Sequence, residues 1–193
     1  MLVPLFPMPD VVLLPGLVLP LYVFEPRYRA LLEHVRSSGE PFGVARLLPP
    51  RVDGDFQARV MREGSLAYVH EVVDHEDGTA SIVVVGGERF EVVSFDASEP
   101  YLSARVRVVP LPVGDAAAVA SLSNRVLAGL LRAHAEDAER VRAEAPREAL
   151  LLATYAALRL PLTADQREAV LRASTLEARL SVLASWVPSP LLN

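Results

Sequence analysis

The stretch HEVVDHEDG, residues 70–78, holds the densest collection of groups able to do chemistry: His70 and His75 among Glu71, Asp74, Glu76 and Asp77. Imidazoles and carboxylates so close in sequence could ligate a divalent ion or exchange protons. The spacing argues against both. On a strand, residues five apart point to opposite faces, and His70 and Asp74, which share one, stand roughly 13 Å apart. A zinc ion needs its donors within about 2 Å. The stretch therefore reads as an exposed, charged hairpin turning at Asp77-Gly78, and no metal site is expected. His34 and His134 lie in helical sequence with no obvious ligand partners nearby and read as surface or packing residues.

Other chemistry is bounded by what the chain lacks. There is no G-x-S-x-G, no H-E-x-x-H and no G-x-G-x-x-G. Gly86-Gly87 runs on into strand-like sequence rather than a helix start, so it is a weak phosphate cradle. With no cysteine, disulfides, thiol catalysis and cysteine metal sites are excluded. All 19 basic residues are arginine, which removes Schiff bases, lysine general bases and the P-loop lysine. No cofactor is expected, and the chain is expected not to be an enzyme. Arg46, Arg51, Arg59 and Arg62 could form a basic patch, but Asp53, Asp55 and Glu63 are interleaved with them and Phe56 is the one aromatic nearby. RNA recognition favours exposed aromatics for stacking, so nucleic acid is an improbable partner. The net charge of −5 points the same way.

The elements that would position any site begin with an unusually apolar opening, LVPLFPMPDVVLLPGLVLPLYVFEPRY, uncharged between Asp10 and Glu25 and carrying six prolines. A signal peptide needs a basic region first, and here the first basic residue is Arg27. A spanning helix needs about 20 apolar residues, and Pro15-Gly16 and Pro20 would break one. Bent strands at a sheet rim remain, with a turn at Pro15-Gly16 and strands over 17–19 and 21–24. No membrane association is expected, and the expected location is the cytoplasm. Pro26 suits the first position of a helix carrying Tyr28, Leu31, Leu32 and Val35 on one face and ending at Ser37-Ser38-Gly39. A strand is expected over 42–48, then a long connection over 49–64 with room for one short strand. Strands over 66–73 and 80–85 flank Asp77-Gly78, a second turn is expected at Gly86-Gly87, and a third strand over 89–95. Leu102, Ala104, Val106 and Val108 alternate with polar residues as a half-buried strand does.

After Pro110-Leu-Pro-Val-Gly114 the period changes. Val119, Leu122, Val126 and Leu130 recur at helical spacing, a further helix is expected from about Arg147 to Leu160, and Leu176, Leu180, Leu183 and Val187 stripe the last one. Capping boxes are expected at Thr163 with Gln166 and at Ser174 with Glu177. The reading is an α+β protein: an antiparallel β-barrel with one short helix over 1–112, then a helical bundle over 113–193.

Four pieces carry a family resemblance. PLFPMPDVVLLPGLVLPLYVFEPRYRALLEHV resembles the start of the Lon N-terminal domain family, the substrate-binding domain of the ATP-dependent Lon protease. DGTASIVVVGGERFEVVSF, EPYLSARVRVV and LTADQREAVLRASTLEARLSVLASWV resemble later parts of that family in the right order. The resemblance implies a PUA-like barrel followed by helices, and polypeptide segments or a protein partner as ligand. The Lon protease adds an ATPase module with a P-loop and a protease module with a serine–lysine dyad. A chain without lysine can carry neither, so it resembles a stand-alone form of the domain. PUA-type barrels also bind RNA, which keeps an RNA-binding or regulatory module as the alternative. The peptide-contacting candidates are Tyr22, Phe24, Arg27 and Tyr28, in a segment more apolar than a small barrel needs. A cleft where β and helical parts meet is the expected location, apart from the 70–78 hairpin. Glu25 and Arg89 are expected to be partly buried structural charges, satisfied by each other or by backbone.

Overall fold

The computed structural model describes residues 1–50 and 55–188, and the chain divides into two compact units, Met1–Pro110 and Leu111–Asn193. The architecture is mixed α+β. The first unit holds β1 (Leu2–Pro9), β2 (Val18–Val23), α1 (Pro26–Ser38), β3 (Phe42–Leu47), β4 (Val60–Asp74), β5 (Ala80–Asp96) and β6 (Ser103–Val108). The strand order is β2-β5-β4-β3-β1-β6, and β5 also pairs with β6. The long β5 therefore has its first half between β2 and β4 and its second half between β4 and β6. All pairings are antiparallel except β1 with β3, which is parallel, a departure from the all-antiparallel expectation. Helix α1 makes it possible, because it crosses between β2 and β3 and returns the chain in the direction of β1.

The opening prolines follow from this pairing. Leu5 donates its amide to Leu102 and Met1 accepts from Val106, so alternate residues of β1 turn their main-chain groups toward β6. Pro7 and Pro9 share that phase but lie beyond Pro4, where the β6 pairing stops. Pro4 has the opposite phase, ahead of Leu5, where pairing to β3 starts. Each missing amide thus falls where no neighbouring strand asks for a donor. Pro20 sits in β2, which among the described residues has β5 as its one partner strand.

Three expectations are corrected here. Gly86-Gly87 is not a turn but part of the continuous strand β5. Its glycine is needed because a Cβ on Gly86 would stand 2.2 Å from the Leu14 carbonyl oxygen, where the Pro15-Gly16 turn is bonded to Gly86. The region 49–64 already contains the start of β4 at Val60; residues 51–54 of it lie outside the described residues. The period-two reading of 70–74 also fails. The β4–β5 register shifts between Val69 and Glu71, so His70 and Asp74 stand on opposite sides of a bulge and do not share a face.

Helix α1 starts with Pro26 and ends on Gly39 at φ 71°. Tyr28, Leu31, Leu32 and Val35 are buried against Phe6, Met8, Val23, Phe42, Ile82 and Val84. A second cluster, with Val3, Leu5, Leu66, Phe90, Ala104 and Val106, fills the other end of the sheet.

The second unit holds α2 (Ala116–Ala133), α3 (Ala138–Glu144), α4 (Ala149–Arg159), α5 (Ala164–Arg172) and α6 (Leu176–Trp186). The stripe Leu176, Leu180, Leu183 and Val187 is buried as its spacing implies. Gly129 on α2 is a point of close approach, since a Cβ there would stand 2.3 Å from Val187 Cβ. The Thr163–Gln166 capping box is present. At α6 the cap is Thr175, whose hydroxyl accepts from the Ala178 amide, rather than the expected Ser174. The short α3 has too few apolar residues to announce itself in sequence, and α4 begins at Ala149. No helix among the described residues is long and apolar enough to cross a membrane.

Candidate functional site

Strand register assembles the candidate surface. Across β2, β5 and β4, three rungs share the outer face: Val18–Val85–Tyr68, Pro20–Val83–Glu71 and Tyr22–Ser81–Val73. The intervening rungs, including Val84, Ile82 and Ala80, face the core and are buried. An antiparallel sheet normally turns a polar face to water. Here β2 turns out Val18, Pro20, Tyr22 and then Phe24, and Val18, Tyr22 and Phe24 are 59%, 53% and 58% exposed. Val73 and Tyr68 extend the apolar area onto β4. A shallow cleft of about 330 Å³ lies along it, lined by Pro20, Tyr22, Glu71, Val73 and Val83 among others. The β4 bulge matters: with strict alternation from Tyr68, Glu71 and Val73 would face the core.

Local bonds hold the aromatic groups in place. The Tyr22 and Phe24 rings stack with centroids 5.9 Å apart. Tyr22 also lies 5.9 Å from the His75 ring, and its hydroxyl shares a 2.8 Å hydrogen bond with Thr79 Oγ1. The 70–78 hairpin, expected to stand apart from the candidate residues, is therefore joined to them. Thr79 also donates to Asp77 through its hydroxyl (2.6 Å) and its amide (3.0 Å). Those bonds hold the Asp77 carboxyl below its ordinary range, with the hydroxyl as the larger cause. At the other end Tyr68 donates to Glu88 at 2.8 Å, and partial burial, then that carboxylate, push the Tyr68 phenol up.

The remaining candidates separate by burial. Tyr28 is 7% exposed and stacks on Phe6 at 4.0 Å inside the core, which withdraws it from any contact surface. Burial raises its phenol pKa, with Arg27 opposing and Glu25 reinforcing the shift. Arg27 lies over both the Tyr28 and Phe56 rings, at 5.0 and 5.3 Å, and binds Glu25 at 2.5 Å. Glu25 is thus met by Arg27. Arg89, 9% exposed, donates to the carbonyls of Val109 (3.2 Å) and Pro110 (2.8 Å), and burial lowers its pKa. A larger cleft of about 840 Å³ lies between α1 and the hairpin, lined by Arg29, Glu33, Arg36 and Asp74 among others. Its lining mixes these charged groups with Pro26, Ala30, Leu32 and Ala80, and the Arg36–Asp74 ion pair (2.8 Å) belongs to it. Among the described residues no group of three or more His, Asp or Glu side chains could hold a metal ion.

Sequence reasoning missed Val18, Val73, Val83 and Glu71 as parts of one surface. The available signal was the run V-x-P-x-Y-x-F over 18–24, an apolar alternation on the side that does not enter the core.

Sheet unit, helical unit and apolar sheet face define a class of mixed α+β protein. The chain belongs to a particular family within it, the ATP-dependent protease La (LON) substrate-binding domain, whose model matches residues 2–187. Lon protease 2 of Herpetosiphon aurantiacus is 28% identical over 94% of this chain, and the Lon protease of Azospirillum brasilense is 23% identical over 93%. The chain spans 23% of the length of each. The fold matches that of the Lon N-terminal domain protein from Xanthomonas campestris, with TM-score 0.70 and 23% identity over 97% of this chain and 99% of that one. It also matches the N-terminal domain of a Mycobacterium avium complex Lon protease, with TM-score 0.72 and 24% identity over 96% and 97%.

Proposed function

We propose that this chain is a non-catalytic polypeptide-binding module that captures extended, apolar segments on the outer face of β2, β5 and β4. The observation that carries the reading is the exposed row Val18, Pro20, Tyr22 and, just past the strand's end, Phe24, on a strand with a single partner strand among the described residues. Apolar side chains of a ligand would lie over that row, and its backbone could pair along the free edge of β2, as in strand addition. Pro20 removes one donor from the edge, which limits unintended sheet growth. Membership of a substrate-binding domain family supports polypeptide as the ligand class. RNA fits the same face poorly, because the carboxylates of Glu71 and Glu88 lie on it and none of its three rungs carries an arginine.

The test is amide NMR during titration with a permanently unfolded, reduced polypeptide. Shifts should cluster on 18–24, 68–73 and 81–85, and the Tyr22→Ser/Phe24→Ser double variant should abolish them while keeping its fold. Shifts confined to other surfaces would overturn the assignment. ATP hydrolysis or cleavage of the unfolded polypeptide by the purified chain would overturn the non-catalytic reading.

A further inference from the structure

Resting on that reading, we infer that Glu71 selects the ligand: the face takes extended apolar segments carrying a basic residue at the centre and discriminates against acidic ones. Glu71 is the charged member of the three rungs and occupies the middle one, opposite Val83 and beyond it Pro20. It lines the cleft along that rung. The side chain is exposed, and no ion pair involves it among the described residues. Three other carboxylates of β4, β5 and their hairpin are engaged: Glu88 accepts from Tyr68, Asp77 from Thr79, and Asp74 from Arg36.

Charge complementarity therefore fixes the occupant. An apolar strand laid across the face brings one side chain over the middle rung. A Lys or Arg there meets Glu71 beside low-dielectric surface, while its aliphatic stem lies on Val73 and Tyr22. A Glu or Asp there meets a like charge that the ligand's own apolar flanks help desolvate. The bulge in β4 is what places the carboxylate so, because strict alternation from Tyr68 would turn Glu71 toward the core. The local excess of carboxylates at both ends of the face, Glu88 and Asp77, adds a weaker bias of the same sign.

The experiment uses three fluorescent peptides with one alternating apolar/serine sequence and Lys, Gln or Glu at the central position, titrated into the full chain. At low salt the Lys peptide should bind about threefold more tightly than the Gln peptide and about tenfold more tightly than the Glu peptide. The differences should shrink as salt is raised. Glu71→Gln should bring the three within about twofold of one another, and Glu71→Lys should reverse their order. Equal wild-type affinities for all three, still lost in Tyr22→Ser/Phe24→Ser, would overturn the role of Glu71 and leave the peptide-binding reading standing. Failure of every peptide to bind would overturn both. A concentration-dependent dimer in sedimentation velocity, dispersed by Tyr22→Ser, would make a second copy of this chain the occupant and overturn the inference.

Discussion

Arg179 offers the sharpest test of how the helical unit is held together. It is 1% exposed, and its guanidinium reaches the end of α5: Nε donates to Val170 O at 2.9 Å and Nη2 to Leu171 O at 3.1 Å. Those carbonyls belong to the last turn of α5, where the helix itself offers no amide donors. Replacing Arg179 with Met keeps much of the buried volume and removes both donors. Each hydrogen bond from the charged guanidinium that is lost costs about 1–3 kcal/mol. An opposing term exists, since a buried cation is itself expensive to desolvate. That term favours the apolar variant only when all partners are replaced together, and here the carbonyls stay. We expect a net loss of about 3 kcal/mol. For a chain of this length that corresponds to a fall in Tm of about 6–12 °C. The assay is guanidinium denaturation followed by circular dichroism, with Arg36→Ala as comparator. Arg36 makes a solvent-exposed pair with Asp74, for which about 1 kcal/mol or less is expected. An Arg179→Met protein within about 0.5 kcal/mol of wild type would refute the capping argument.

Gly86→Ala should destabilise by about 1–3 kcal/mol, because its Cβ meets the Leu14 carbonyl, a backbone atom that cannot swing aside; a wild-type denaturation midpoint would contradict this. Arg89→Ala removes charged hydrogen bonds to Val109 and Pro110 and should lose about 2–4 kcal/mol, so an unchanged Tm would refute its structural role. The carboxyl of Glu144 is held below its ordinary range, first by the hydrogen bond from Arg140, against desolvation, then by the charges of Arg140 and Arg159 and by Tyr155. A depressed native pKa means this contribution is present above the ordinary carboxylate value near about 4.3 and is lost as pH falls through the lower native one. Stability measured across that acid window should fall less steeply in Glu144→Gln than in wild type, and parallel curves would show that the cluster does nothing for folding.

What was legible in sequence was whatever a local period or a turn residue determines. Pro26 and Gly39 bracket α1, Asp77-Gly78 turns β4 into β5, Thr163 and Gln166 cap α5, and the change from period two to helical spacing after Pro110 separates sheet from helices. Each of these depends on dihedral preference or on neighbours within one turn, so the residues carry the information themselves. The tertiary structure decided the rest. Gly86-Gly87 has turn chemistry, yet the Pro15-Gly16 segment packs on it and the strand runs through. The parallel β1–β3 pair and the phases of Pro4, Pro7 and Pro9 depend on where β6 stops and β3 starts. The candidate surface is of the same kind. Val18, Tyr22 and Phe24 have the same apolar character as Leu19, Leu21 and Val23, and only the side on which α1 packs makes one row core and the other exposed. Glu71 joins that row because one extra residue in β4 shifts its register against β5. Pairing across strands distant in sequence has no local signature, since it is fixed by hydrogen bonds and packing that exist only once the sheet has formed.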